Sequence, residues 1–153
     1  MLEPMPWYYD VTIPTLLRAS RRAYGDAIRA RCAEAGLDDI PTNGPFVLGS
    51  LARNGDLRMS EIIEGLRASK QAAGQLVDTL ALRGYLSRRE DPHDRRRVLL
   101  SLTERGVAAA ETVANAIDEI DRELASRLSP EQLDGLRVGL ATLTEIRARQ
   151  EER

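Results

Sequence analysis

The sequence predicts a mostly helical α+β fold, with about six helices and one two-stranded ribbon near the middle of the chain. Three observations carry this expectation. Apolar residues recur at three- and four-residue steps on both sides of residues 85–102, the signature of helices with one buried face. Within 85–102 the pattern becomes extended around Asp91-Pro92-His93-Asp94. Between these stretches, Ser, Thr, Gly and Pro stand where helix ends need a cap or a breaker.

Residues 10–35 read as the first helix, because Ile13, Leu17, Tyr24, Ile28, Cys32 and Ala35 share one face; Gly36 and Pro41 close it. A second helix spans about Gly44 to Arg53 and stops at Asn54-Gly55-Asp56. Ser60 is expected to cap a third, Glu61 to Leu66. Ser69 caps a fourth, about Lys70 to Arg83, with Ala72, Ala73, Leu76 and Leu80 on its packed side and Gly84 as its stop. Tyr85–Glu90 and Arg97–Leu102 read as two strands joined by the loop 91–96, where Pro92 forbids a central strand. Thr103 caps a fifth helix bearing Val113, Ile117, Ile120, Leu124 and Leu128. Ser129-Pro130-Glu131-Gln132 combines a cap, an N1 proline and a capping-box glutamine. The sixth helix then presents Leu133, Leu136, Leu140, Leu143 and Ile146.

Two short helices joined by a tight turn and followed by a ribbon describe a winged helix-turn-helix. The expected division is an N-terminal dimerisation arm and helix over 1–38, a DNA-binding lobe over 39–105, and C-terminal dimerisation helices over 106–153. The apolar rows outside the lobe are too extensive for one chain to cover, and a two-fold dimer covers them while matching DNA palindromy.

Net charge taken whole argues against a nucleic-acid partner. The 153 residues hold 22 Lys+Arg against 24 Asp+Glu, a net charge of −2. The distribution removes the objection: residues 58–105 carry ten basic and seven acidic side chains, and the acidic excess lies in the flanks. Six arginines fall within 83–97 alone. In this geometry the second helix of the pair enters the major groove. Its Ser69, Lys70, Gln71 and Gln75 suit that task, since lysine and glutamine pair with guanine and adenine edges and serine with base or phosphate. An arginine-tipped ribbon suits a narrow minor groove, where negative potential is focused. Ser60, Arg88 and Arg89 are assigned to the DNA backbone.

Residues 71–106, and above all VDTLALRGYLSRREDPHDRRRVLLSLTERG, resemble the signature of the MarR (multiple antibiotic resistance regulator) family of winged helix-turn-helix transcription factors. Its core spacing is met by Asp94, Arg96, Leu102 and Thr103. The resemblance implies a homodimer whose terminal helices interlock beneath paired winged lobes. It also implies a repressor that often releases DNA when a small phenolic or lipophilic molecule, or an oxidant, engages it. Residue by residue, it places Arg96 at the wing tip in the minor groove, with Asp94 orienting it through a charge-assisted hydrogen bond. Arg95 and Arg97 flank this pair and meet phosphates. The chain departs from the usual pattern at Ile62-Ile63 and in Ser-Lys-Gln-Ala-Ala-Gly, which leaves the operator sequence open. Gly74 inside the recognition helix points to close packing or close approach of DNA.

Other residues carry less. Cys32 on an apolar face reads as a buried, inert thiol rather than a peroxide sensor. His93 reads as a turn residue near phosphate. Trp7, Tyr8 and Tyr9 are expected to pack on the partner subunit. Tyr24 and Phe46 are candidates for an effector pocket, with core packing as the alternative. One cysteine excludes an intramolecular disulfide, and one histidine with one cysteine supplies no zinc set. No Ser/His/Asp or Cys/His pairing, phosphate loop or metal spacing is present, so no enzyme and no cofactor are expected beyond a small aromatic or lipophilic effector. No apolar run is long enough for a membrane span, and the N-terminus lacks a signal-peptide pattern, so a cytoplasmic location is expected. The rival to a DNA-binding regulator is a helical dimer that binds protein or sequesters a small molecule, its wing a charged surface only.

Overall fold

The computed structural model describes residues 6–92 and 94–151, apart from the side chains of 95–97 and 147–151. After a single helical turn at Trp7–Asp10 come α1 (Ile13–Glu34), α2 (Gly44–Asn54), β1 (Leu57–Arg58), α3 (Met59–Leu66), α4 (Lys70–Leu82), β2 (Leu86–Asp91), β3 (Asp94–Leu102), α5 (Glu104–Arg127) and α6 (Pro130–Glu151). The mostly helical winged helix-turn-helix expected from the sequence is the fold observed. The chain forms two compact units, residues 1–117 and 118–153.

The first unit is built around a core that α2, α3, α4, the sheet and the first half of α5 fill together. Val47, Leu48, Ile62, Val77, Leu80, Tyr85, Leu100 and Ala109 are all essentially inaccessible to solvent. Each helix contributes a three-four row, which is why the periodicity read from the sequence maps onto burial. One row differs from expectation. On α4 the buried positions are Ala73, Val77 and Leu80, with Leu76 half-buried and Ala72 exposed, so the packed face is rotated by about one residue.

Three corrections concern boundaries. The sheet has three strands in the order β1-β3-β2, not two. Leu57 and Arg58 pair with Leu100 and Leu99, and a two-residue strand leaves no alternation for the sequence to show. Because the chain is extended through Arg58, α3 begins at Met59 and Ser60 lies inside its first turn rather than at its cap. The cap is made instead by Glu61, whose carboxylate accepts from the Arg58 backbone N–H at 2.7 Å. Finally, the strands of the wing run on to Asp91 and from Asp94, leaving only Pro92 and His93 between them where a six-residue loop was expected.

Residues 118–153 hold the end of α5 and all of α6. Here the predicted start signal is realised in both directions: Ser129 Oγ accepts from the Gln132 N–H at 3.3 Å, and Gln132 Oε1 accepts from the Ser129 N–H at 2.9 Å. Leu136, Leu140, Leu143 and Ile146 of α6 remain exposed in the single chain. In the first unit Ile13 and Leu17 of α1 are likewise exposed, as is Trp7 at 71%. Trp7 packs edge-on to Tyr8, which stacks on Tyr9.

Candidate nucleic-acid interface

Arg67, in the left-handed region at φ 50°, ends α3 and turns the chain into α4. Ser69 Oγ accepts from the Ala72 N–H at 3.2 Å, which satisfies one orphan donor of the helix start. A hydroxyl that accepts in this way keeps its own proton to donate. With Ala73, Val77 and Leu80 turned inward, Ser69, Lys70, Gln71 and Gln75 are all exposed along the N-terminal half of α4. Gln71 and Gln75 are one turn apart and so share a face. The structure therefore brings the four predicted major-groove residues together. At Gly74 an added Cβ would meet nothing within 4 Å, so close packing within the chain does not explain the glycine.

The wing has an irregular edge at a telling place. Glu90 faces Val98, but Asp91 faces Asp94, so the register shifts between Glu90 and Asp91. The residues spanned by that shift on β3 are Arg95, Arg96 and Arg97. Such irregularities bend a strand and re-aim what it carries. The side chains of these three arginines, and all of His93, lie outside the described residues.

Arg88 and Arg89 are exposed on β2, but each already holds an acid. Arg88 pairs with Asp78 of α4, and Arg89 pairs with Asp56 beside β1. Ser60 is exposed on the first turn of α3. Neither pairing was visible in the sequence, because each joins residues of different elements that only the fold brings together.

A second group was also missed. Asp39, on the connection between α1 and α2, accepts from the Tyr85 hydroxyl and from Arg105 Nη2 at 3.0 Å. Arg105 also donates to the Tyr85 hydroxyl at 3.0 Å and stands over its ring. The Tyr85 hydrogen bond, helped by the positive charge of Arg105, holds the Asp39 carboxyl below its ordinary value. Burial and the same hydrogen bond push the Tyr85 phenol up. Asp39 lies 46 and 66 residues from these partners, so no local pattern announces the group.

Beside the same connection, an open groove of about 1080 Å³ runs between α1 and the start of α2. Its lining includes Arg18, Arg21, Arg22 and Arg29 together with Ile28 and Phe46. Phe46 thus reaches the groove, whereas Tyr24 is half-buried and not part of the lining. Cys32 lines it from beneath, 4% exposed, and burial pushes its thiol up, as expected of an inert cysteine. Among the described residues no group of three His, Cys, Asp or Glu is placed to hold a metal, and no helix is long and apolar enough to cross a membrane.

Helix-turn-helix, a second helix capped by Ser69 and three-stranded sheet together define a winged-helix domain. Comparison with known proteins shows what it resembles. Residues 41–97 match the model of the MarR family. The chain is 33% identical to the HTH-type transcriptional repressor MdtR of Bacillus subtilis, over 58% of this chain and 57% of that protein. It is 30% identical to the transcriptional repressor MprA of Escherichia coli K12, over 54% of this chain and 58% of that protein. The match thus spans a little over half the length of these curated relatives. Among solved structures, it resembles Staphylococcus aureus MepR in complex with DNA at a TM-score of 0.75 and 22% identity, covering 89% of this chain and 98% of that one. A probable transcriptional regulator from Pseudomonas aeruginosa aligns at a TM-score of 0.65 and 28% identity, covering 88% and 98%. Over residues 41–97 the winged-helix lobe of this chain is thus similar to the MarR family.

Proposed function

We propose that the protein is a transcriptional repressor that binds a pseudo-palindromic operator in double-stranded DNA as a homodimer. The observation that carries this reading is the start of α4, where Ser69, Lys70, Gln71 and Gln75 stand exposed together beside an arginine-bearing wing. The relatives named repressors, and the complex of MepR with DNA, support the same reading. In it, α4 lies in the major groove, and Asp94 and Arg96 work at the minor groove with Arg95 and Arg97 on phosphates. Ser60, Arg88 and Arg89 approach the backbone. The functional division is 1–38 and 106–153 for dimerisation and 39–105 for DNA, and the site of action is the cytoplasm. The exposed leucines of α6 and the apolar residues of α1 supply the dimer base.

The groove beside α1 fits an effector with an apolar body and an anionic group, because its floor is apolar and four arginines line it. Footprinting on the protein's own upstream region tests the reading. Arg96→Ala is expected to reduce protection sharply, Gln71→Ala to change sequence preference, and an aromatic acid to release the duplex. Absence of any protected inverted repeat would leave the rival, a helical dimer that binds protein or small molecules.

A further inference from the structure

The proposed function gives no role to Asp39, yet three elements converge on it. Its carboxylate holds the Tyr85 hydroxyl and the Arg105 guanidinium, and its backbone carbonyl accepts from Arg83. Arg83 directly follows α4, Tyr85 directly precedes β2, and Arg105 opens α5. Tyr85 is fully buried, and its main chain is committed as well. Its N–H donates to the Leu80 carbonyl at 2.9 Å, and its carbonyl accepts from the Thr103 N–H at 3.1 Å.

Tyr85 is thus the pivot between recognition helix and wing. The six residues of β2 at about 3.3 Å each reach roughly 20 Å from it. A rotation of about 5° at the pivot would shift the wing tip by nearly 2 Å over that length, enough to lose hydrogen-bond geometry with a groove. We propose that Asp39 is a positioning residue for DNA binding: by clamping the Tyr85 hydroxyl against Arg105, it fixes the angle between α4 and the wing. This rests on the DNA-binding reading above.

The test uses the full chain and two readouts, amide hydrogen exchange by segment and affinity for an operator duplex. Asp39→Ala is expected to speed exchange through 86–102 while α2 keeps its protection, and to weaken duplex binding about tenfold with cooperative melting retained. Asp39→Asn still accepts from the Tyr85 hydroxyl and should recover part of both effects. Tyr85→Phe keeps the ring in the core, removes the hydroxyl, and should shift both readouts in the same direction even where Asp39→Ala fails to fold. Faster exchange confined to 36–43 would overturn the proposal, because Asp39 would then anchor only its own connection. Unchanged affinity with a loosened wing would overturn it too. A wild-type chain that binds no duplex would instead count against the DNA-binding reading, and the exchange pattern would still decide the clamp.

Discussion

Two glycines show how single residues shape the first unit, in opposite ways. At Gly106 an added Cβ would collide with the Tyr85 carbonyl oxygen, where α5 passes closest to the pivot. Its N–H is bonded to Thr103 Oγ1 at 3.0 Å, and the Thr103 hydroxyl donates to the Gly84 carbonyl, so the helix start has little freedom to retreat. Gly106→Ala is expected to lower stability by about 1–3 kcal/mol, as overpacking does, measured by urea denaturation. At Gly74 the surrounding space is open, and Gly74→Ala is expected to stabilise the fold by about 1 kcal/mol through helix propensity alone. If DNA approaches α4 there, the same substitution weakens duplex binding, and the paired measurement separates the effects. Asp39 adds a pH dependence. Its folded pKa is depressed, so its contribution is present at neutral pH and is lost as pH falls through the carboxylate range toward that depressed value. Asp39→Asn should remove this part of the acid limb of the stability–pH curve.

At the scale of elements, helices and their ends were legible because their signals are local. Ser69, Thr103 and Ser129 each accept from a backbone N–H three residues on, as their positions predicted. What escaped was long-range. β1 is only two residues long, and its pairing with β3 moved the start of α3 back to Met59 and took the cap from Ser60. The wing was foreseen, but the run of its strands to Asp91 and from Asp94 was not, because charged residues 94–97 show no alternation from which a strand can be read. That Ser69, Lys70, Gln71 and Gln75 stand exposed together was legible from cap and polarity. The Asp39 clamp was not, since its members make sense only once α4, β2 and α5 converge. On α6, the exposed row Leu136, Leu140 and Leu143 predicts an association surface. Leu140→Glu with Leu143→Glu is expected to reduce the sedimenting mass from twice 17.0 kDa to a single chain, and to abolish cooperative operator binding with it.

For the molecule as a whole, the acids that hold Arg88 and Arg89 have an electrolyte consequence. A lysine or arginine that neutralises one phosphate normally expels about 0.9 of a condensed cation, which makes affinity fall with added salt. Arg88 and Arg89 reach phosphate only by leaving Asp78 and Asp56, and each abandoned carboxylate then attracts a cation of its own. Release and recapture then nearly cancel, so on the proposed function these arginines orient the duplex while adding little to the ionic-strength response. The wild-type plot of log affinity against log salt should therefore be shallower than its basic residues suggest. Asp56→Asn and Asp78→Asn should each steepen it by up to about 0.9 and raise affinity most in dilute buffer. An unchanged slope would mean that the two arginines stay with their acids and never meet the DNA.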